Sequence, residues 1–336
     1  MTAFGLREFR IIRRSDDLQL EALAARPNLP EAAFWELACS RSRGGLLTTR
    51  LARNPTAPAE ALAVMARDAR ASVRMWVAAN PNTPAPSLVD LSDDSDASVT
   101  ASVAGNSAAP VDLLLDMSTA PRFRTHIAAN PAAPGELLRA WLQQAVGPGA
   151  AQMEWNLLAA LSGNAAAPQD VLDACVEISR ERENEEDALA ENRESIRVGL
   201  AFNPRASREL LATLADDMWR VVRANVAANP SAPLEIIAQL AKDEEEEVRR
   251  GVAVNSSTPA ETLTELHDAE PGNSYVHEDL AANPRLPAYF IRRYVSEFKR
   301  PVIANPALAD SDVWDFLERM LEFQSSSETF PWLADK

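Results

Sequence analysis

Five arginines stand at one offset along this chain. Counting back from a recurring Asn, the sixth residue is Arg74, Arg124, Arg197, Arg223 and Arg249, and His277 and Lys299 continue the column. Twelve before the same Asn stand Asp68, Glu191, Asp217 and Asp243, each in a repeat that also has the Arg. Guanidinium groups at a fixed offset can do two things. They can bind phosphates or a carboxylate-rich peptide through charge-assisted hydrogen bonds. They can also pair with the acids and hold the protein together. The spacing favours pairing inside each repeat: Arg223 has Asp217 six residues before it, whereas Arg124 has Ser118 there, and Asp94 is followed by Thr100 instead of Arg. The ladder is thus expected to be incomplete between Asp94 and Arg124, where a free charge would be left.

Other chemistry finds little footing. The three histidines, His126, His267 and His277, sit in no H-E-x-x-H and have no Ser or Cys partner by spacing. Cys39 and Cys175 form no C-x-x-C pair, which excludes a disulfide framework and a Cys-rich metal or cluster site. Cys175 falls at an apolar helix position and reads as an inert buried thiol. No glycine-rich phosphate loop is present, and the acidic cluster Asp243 to Glu247 lacks calcium-loop spacing. The expectation is a non-enzymatic protein with no cofactor and no bound metal.

The elements that position these residues follow from the Asn itself. A motif of Asn, Pro and a second Pro recurs eleven times, at Asn54, Asn80, Asn106, Asn130, Asn164, Asn203, Asn229, Asn255, Asn283 and Asn305, with a degenerate first copy at Arg26-Pro27-Asn28-Leu29-Pro30. The intervals are 28, 26, 26, 24, 34, 39, 26, 26, 28 and 22 residues. A period in the twenties signals stacked repeats and not one compact domain. Before each Asn, apolar residues four apart, such as Val73/Val77 and Val222/Val226, describe one face of a short helix, with Ala two before the Asn in most repeats. A residue before Pro is pushed out of the αR region, so this first helix must end at the Asn. The Asn side chain then caps a 3₁₀-like turn, and the second Pro is expected at the first position of a second amphipathic helix carrying pairs such as Leu137/Leu138 and Ile236/Ile237. Nothing alternates with period two, so no sheet is expected.

With V-R-x-x-V-A-x-N-P-x-x-P-x-x-L-L-x-x-L in hand, the chain resembles the leucine-rich repeat variant family, best at Val73–Pro81 and Val222–Pro230 and in outline over roughly 18–317. The resemblance implies a right-handed all-α superhelix of alternating α and 3₁₀ or short α helices. It implies no particular activity. One type of member carries an iron–sulfur cluster on an N-terminal Cys group that this chain lacks, so no cluster is expected. The acid-then-Arg spacing also resembles HEAT repeats, in which acid and Arg pair along the stack.

The expected organisation is an N-terminal cap at 1–17, a right-handed solenoid of about eleven two-helix repeats at 18–310, and a C-terminal cap helix and tail at 311–336. The long repeats fall at 131–203. They hold a Gly147-Pro148-Gly149 loop and the acid-rich run from Arg180 through Glu194. Net charge is −16, with only three Lys, so the whole-molecule field repels nucleic acid and anionic membrane. No apolar stretch approaches a membrane span or a signal peptide, which points to a cytoplasmic monomer. Four and five before the Asn the repeats stop agreeing, and this variable column is the expected partner surface. Arg50, Met75, Trp76, Arg124, His126, Asn225 and Arg250 are the candidates, with Trp76 as anchor. The expected partner is a protein or peptide bound by a scaffold; the alternative is HEAT-like nucleic-acid binding through the Arg column.

Overall fold

A computed structural model describes residues 6–15, 17–27, 29–39, 45–146, 154–180, 190–272, 274–287, 290, 305, 313–315, 317 and 318. Among them every regular element is helical and no strand occurs. The helices alternate in two kinds. Helices that end on a motif Asn include Ala71–Ala79, Ala97–Gly105, Trp155–Gly163, Ala190–Phe202, Arg220–Ala228 and Glu246–Val254. Each packs closely on the next of its kind, while the helices between them, such as Ala85–Ser92 and Arg208–Ala215, touch their own successors far less. The Gly147-Pro148-Gly149 loop, most of the acid-rich run and most of the stretch beyond Pro287 lie outside the described residues.

Burial follows the sequence columns. Val73, Val99, Val222, Val248, Val77, Val103, Ile127, Val226 and Val252 are all 0% exposed. Each contributes roughly 1.5–3 kcal/mol relative to an exposed side chain. The small column two before the Asn (Ala52, Ala78, Ala104, Ala128, Ser162, Ala227) is equally buried and lets neighbouring first helices approach. At Gly199 the approach is closest: a Cβ there would overlap Ser162 Oγ and stand 2.7 Å from the Ala159 carbonyl oxygen.

The turn between the helices is tight, as expected, and differs in one detail. Asn80 ends its helix in an extended conformation (φ −76, ψ 126), as a residue before Pro must. Its N–H donates to the Val77 carbonyl, and its own carbonyl accepts from Thr83, both at 3.0 Å. The second Pro does not occupy the first helical position. Pro58, Pro84, Pro110, Pro168, Pro233 and Pro259 are N-cap residues, extended at φ near −60, and Pro84's carbonyl accepts from Leu88 N at 3.1 Å. The ring fixes the φ that an N-cap in extended geometry needs. Where Pro is replaced by Ser207, the hydroxyl accepts from Leu210 N at 3.1 Å instead.

The motif Asn does more than cap. Its Oδ1 accepts the N–H two residues on, at 2.7 to 2.9 Å. Its Nδ2 crosses to the preceding repeat and donates twice, to the carbonyl of the preceding motif residue and to the carbonyl two before that, at 2.6 to 3.1 Å. The ten Asn are 0 to 3% exposed. They form an unbroken ladder of side chain to main chain, which gives a donor to the carbonyl two before each motif residue and a second donor to the motif carbonyl, which already holds the N–H three residues on.

Candidate functional site

The Arg column is fully engaged, and its partners are not the expected ones. Arg74 donates through Nε and Nη2 to the two carboxylate oxygens of Asp94, at 2.6 and 2.9 Å. Arg223 does the same to Asp243, at 2.8 and 3.1 Å. Arg249 pairs with Glu270, and Arg197 Nε lies 2.8 Å from Asp217 Oδ2, off the hydrogen-bond axis. The acid thus comes from the next repeat, about 20 residues on, and not from six residues before. Arg74, Arg223 and Arg249 meet their own repeat's acid through its main chain: their Nη1 donates to the carbonyls of Asp68, Asp217 and Asp243 at 2.9, 2.9 and 2.7 Å.

The cause is the turn that starts the first helix. Asp217 and Asp243 each accept, at 2.9 Å, the N–H two residues on, from Trp219 and Glu245. Asx turns of this kind orient the carboxylate toward the preceding layer. The Arg74 hydrogen bond holds the Asp94 carboxyl below its ordinary 3.8. Burial pushes Asp243 up, but the Arg223 hydrogen bond and the Glu245 N–H outweigh it and leave this acid low as well. Asp68 has Thr48 where a preceding Arg would stand and is bound instead by Arg70, at 2.8 Å through both Nε and Nη2. The side chain of Glu191 lies outside the described residues.

Neither end of the expected gap is free. Asp94 takes Arg74, and Arg124 reaches the Glu154 carboxylate at 3.0 Å and Gln144 Oε1 at 3.1 Å, with its guanidinium 5.4 Å from the centroid of the Trp141 ring. The expectation of an unpaired cation at Arg124 is therefore corrected.

The variable column is also less open than expected. Trp76 is half-buried, and Arg53 of the preceding repeat covers its ring at 4.1 Å. Met75 packs against the core, and Asn225 donates to the Val221 carbonyl of its own helix at 2.8 Å. Arg250 reaches Asp279 of the following repeat at 2.6 Å, beside the Tyr275 ring. Gly251 is buried, and a Cβ there would stand 2.6 Å from the Ala224 carbonyl oxygen. In a stack each helix has neighbours on two flanks, so the position four before the Asn is a wall between layers as much as a surface. His126 is exposed, and Arg50 is half-buried.

What sequence reasoning missed is one and eight residues before the Asn. Phe202 is 65% exposed, Tyr275 61% and Val254 49%. Offsets of one, four, five and eight share a helix face, so these side chains lie beside His126's column. For Phe202 and Val254 the signal was available: a large apolar residue at an offset that is elsewhere Ala or Gly in all repeats but that of Arg53 (Ala79, Gly105, Ala129, Gly163).

Cys175 is 0% exposed, and burial pushes its thiol up to about 12, which makes it unreactive. The His267 and His277 rings stack at 4.9 Å inside the fold, with Phe290 against His267. Among the described residues no group of three or more His, Cys, Asp or Glu is placed to hold a metal, and no helix is long and apolar enough to cross a membrane. No family model matches this chain, and no curated protein matches it.

Proposed function

We propose that the chain is a right-handed α-solenoid of about eleven repeats, of the leucine-rich repeat variant type, and that it serves as a non-enzymatic scaffold for a protein or peptide partner. The observation that carries this reading is the first-helix face, where Phe202, Val254, Tyr275 and His126 are exposed on helices whose Arg197, Arg249, Arg250, Asp279 and Arg124 are ion-paired. Exposed aromatic side chains on a rigid frame are the usual anchors of an interface. The alternative, nucleic-acid binding through the Arg column, is disfavoured because each of these guanidiniums already holds a carboxylate and the net charge is −16. The test is affinity capture with the full chain, followed by titration of the captured partner with Phe202→Ala, Tyr275→Ser and Trp76→Ala. Loss of at least tenfold in affinity in the first two, with helicity unchanged, is expected. Full affinity in all three sinks the reading, and a salt-sensitive shift of single-stranded or duplex DNA would favour the alternative.

A further inference from the structure

The Asn ladder does not begin at Asn54. The first repeat has Arg26 where every later one has Asn, and Arg26 is 4% exposed. Its main-chain carbonyl accepts from Asn54 Nδ2 at 2.9 Å, as a rung's should. Its side chain also behaves as a rung's does. Each Asn donates to the main-chain carbonyl of the rung before it; Arg26 Nη1 donates to the main-chain carbonyl of Asn305, the last rung, at 3.1 Å across 279 residues of chain. In the order of the ladder, the rung before the first is the last.

From this contact we infer that the two ends of the chain are one another's binding partners: the first repeat docks on the last as a further step of the ladder, and the stack closes into a ring. A second observation is independent of Arg26. An open stack leaves an apolar face at each end unless something covers it. Here Ile11 and Ile12 are 3 and 2% exposed, and Leu20 and Leu23 are 5 and 0%. At the other end Val313, Trp314 and Leu317 are 1, 6 and 0% exposed, and all seven belong to the same continuous core. Asn305 itself is 0% exposed. Closure accounts for both ends at once, because each supplies the layer the other lacks.

The exchange of Asn for Arg fits such a seam. Within the ladder, consecutive layers are joined by the chain, and a short amide suffices. The ends have no covalent link, and Arg brings a longer stem and a charge-assisted donor to the buried carbonyl.

The full chain tests this. Cys39 and Cys175 are replaced by Ala, and spin labels are placed at Ala32→Cys and Arg285→Cys, both exposed positions. These sites lie two layers apart through the seam and nine the other way. At about 8–10 Å per layer, closure gives an electron–electron distance of roughly 20–30 Å, and an open stack gives well over about 40 Å. A distribution centred beyond about 40 Å overturns the ring. In the same labelled chain, Arg26→Glu sets a carboxylate against the Asn305 carbonyl and should lengthen the distance. An unchanged distance overturns the role assigned to Arg26. If the labelled chain does not fold, small-angle scattering of the unaltered protein decides. Eleven layers closed on themselves span about 65 Å at most, and an open stack of them reaches about 90 Å or more.

Discussion

Two stretches of this chain hold their layers together by the same ladder and differ in almost everything around it. Between Asn203 and Asn255 the motif recurs every 26 residues; between Asn130 and Asn203 the intervals are 34 and 39. The rungs do not register the difference. Asn164 bonds the Ala128 and Asn130 carbonyls at 2.7 and 2.9 Å, and Asn229 bonds those of Ala201 and Asn203 at 2.7 and 3.0 Å. The charges register it at the first long interval only, since Arg197 at the end of the second pairs with Asp217 with both side chains 9% exposed. Arg223 and Asp243 pair with side chains 13 and 10% exposed, whereas Arg124 is held by Glu154, whose side chain is 45% exposed. Where the two stretches meet, a cleft of about 760 Å³ also opens between helices Gln169–Ser179 and Arg208–Ala215. Among the described residues the second helices Gly135–Val146 and Gln169–Ser179 are lengthened to 12 and 11 residues, and the first helix Ala190–Phe202 to 13. The ladder joins only the C-terminal ends of the first helices and is indifferent to these lengths.

The largest effects should be the same in both stretches. Val226→Asp and Leu161→Asp each place an unpaired carboxylate at a site that is 0% exposed, and each should cost several kcal/mol. Loss of the cooperative thermal transition is the expected result; an unchanged melting temperature in either would show that the core column has been misplaced. Next come the rungs. Asn229→Ala and Asn164→Ala each leave one carbonyl and one N–H without a partner and take one of two donors from a second carbonyl, at a cost of about 2–4 kcal/mol. Urea denaturation should give equal losses. A much smaller loss for Asn164 would mean that the interrupted stretch is held by something other than the ladder.

The repeat, its two helices and its core columns were legible because each rests on a local rule: apolar period, the residue before Pro, small residues at close approach. The ladder was half legible. Capping by Asn80 follows from its type and position, but the Nδ2 bonds to Ala52 and Asn54 join residues 28 and 26 apart, and no local rule reaches that far. The ion pairs were misread for the same reason. Counting back six from Arg223 finds Asp217; counting forward 20 finds Asp243, and only the stacking of layers says which count matters. Trp76 looked exposed because its cover, Arg53, belongs to another repeat. Phe202 and Tyr275 stand at other offsets than the variable pair and are marked by size and exposure, which variation at four and five before the Asn does not reveal.

The Arg column is where the two stretches should part. Arg223→Ala strands Asp243, which is nearly buried, while Arg124→Ala leaves a carboxylate that water can reach. The first should cost more, by about 1 kcal/mol. Equal losses would mean that the exposure of Glu154 does not matter. The sign of the acid response follows from Asp243 as well. Its carboxyl titrates below its ordinary 3.8 in the folded protein, so the unfolded chain takes up that proton first. The stability it contributes is complete above about pH 4 and is lost as pH falls through the lowered folded value. Asp243→Asn should therefore flatten stability against pH below about 4, as measured by urea midpoints in acid; an unchanged slope would show that the pair contributes nothing there.

The smallest expected effect bears most directly on the difference between the stretches. Twenty residues after Arg124 stands Gln144, which accepts from Arg124 Nη2 at 3.1 Å, the same step that takes Arg74 to Asp94 and Arg223 to Asp243. The geometry of the rung survives here, and only the charge is missing. Glu154, 30 residues on, supplies it from just past the 147–153 insertion. Gln144→Glu should thus restore a pair that the position already fits. Gln144 is exposed, so the gain is a surface pair's, about 0–1 kcal/mol and reduced by salt. A double cycle with Glu154→Gln isolates it: the gain should be larger when Glu154 is neutral, because Arg124 then has one carboxylate to choose and not two. If Gln144→Glu destabilises in both backgrounds, the step of 20 is a coincidence of distance in this stretch and not a property of the stack.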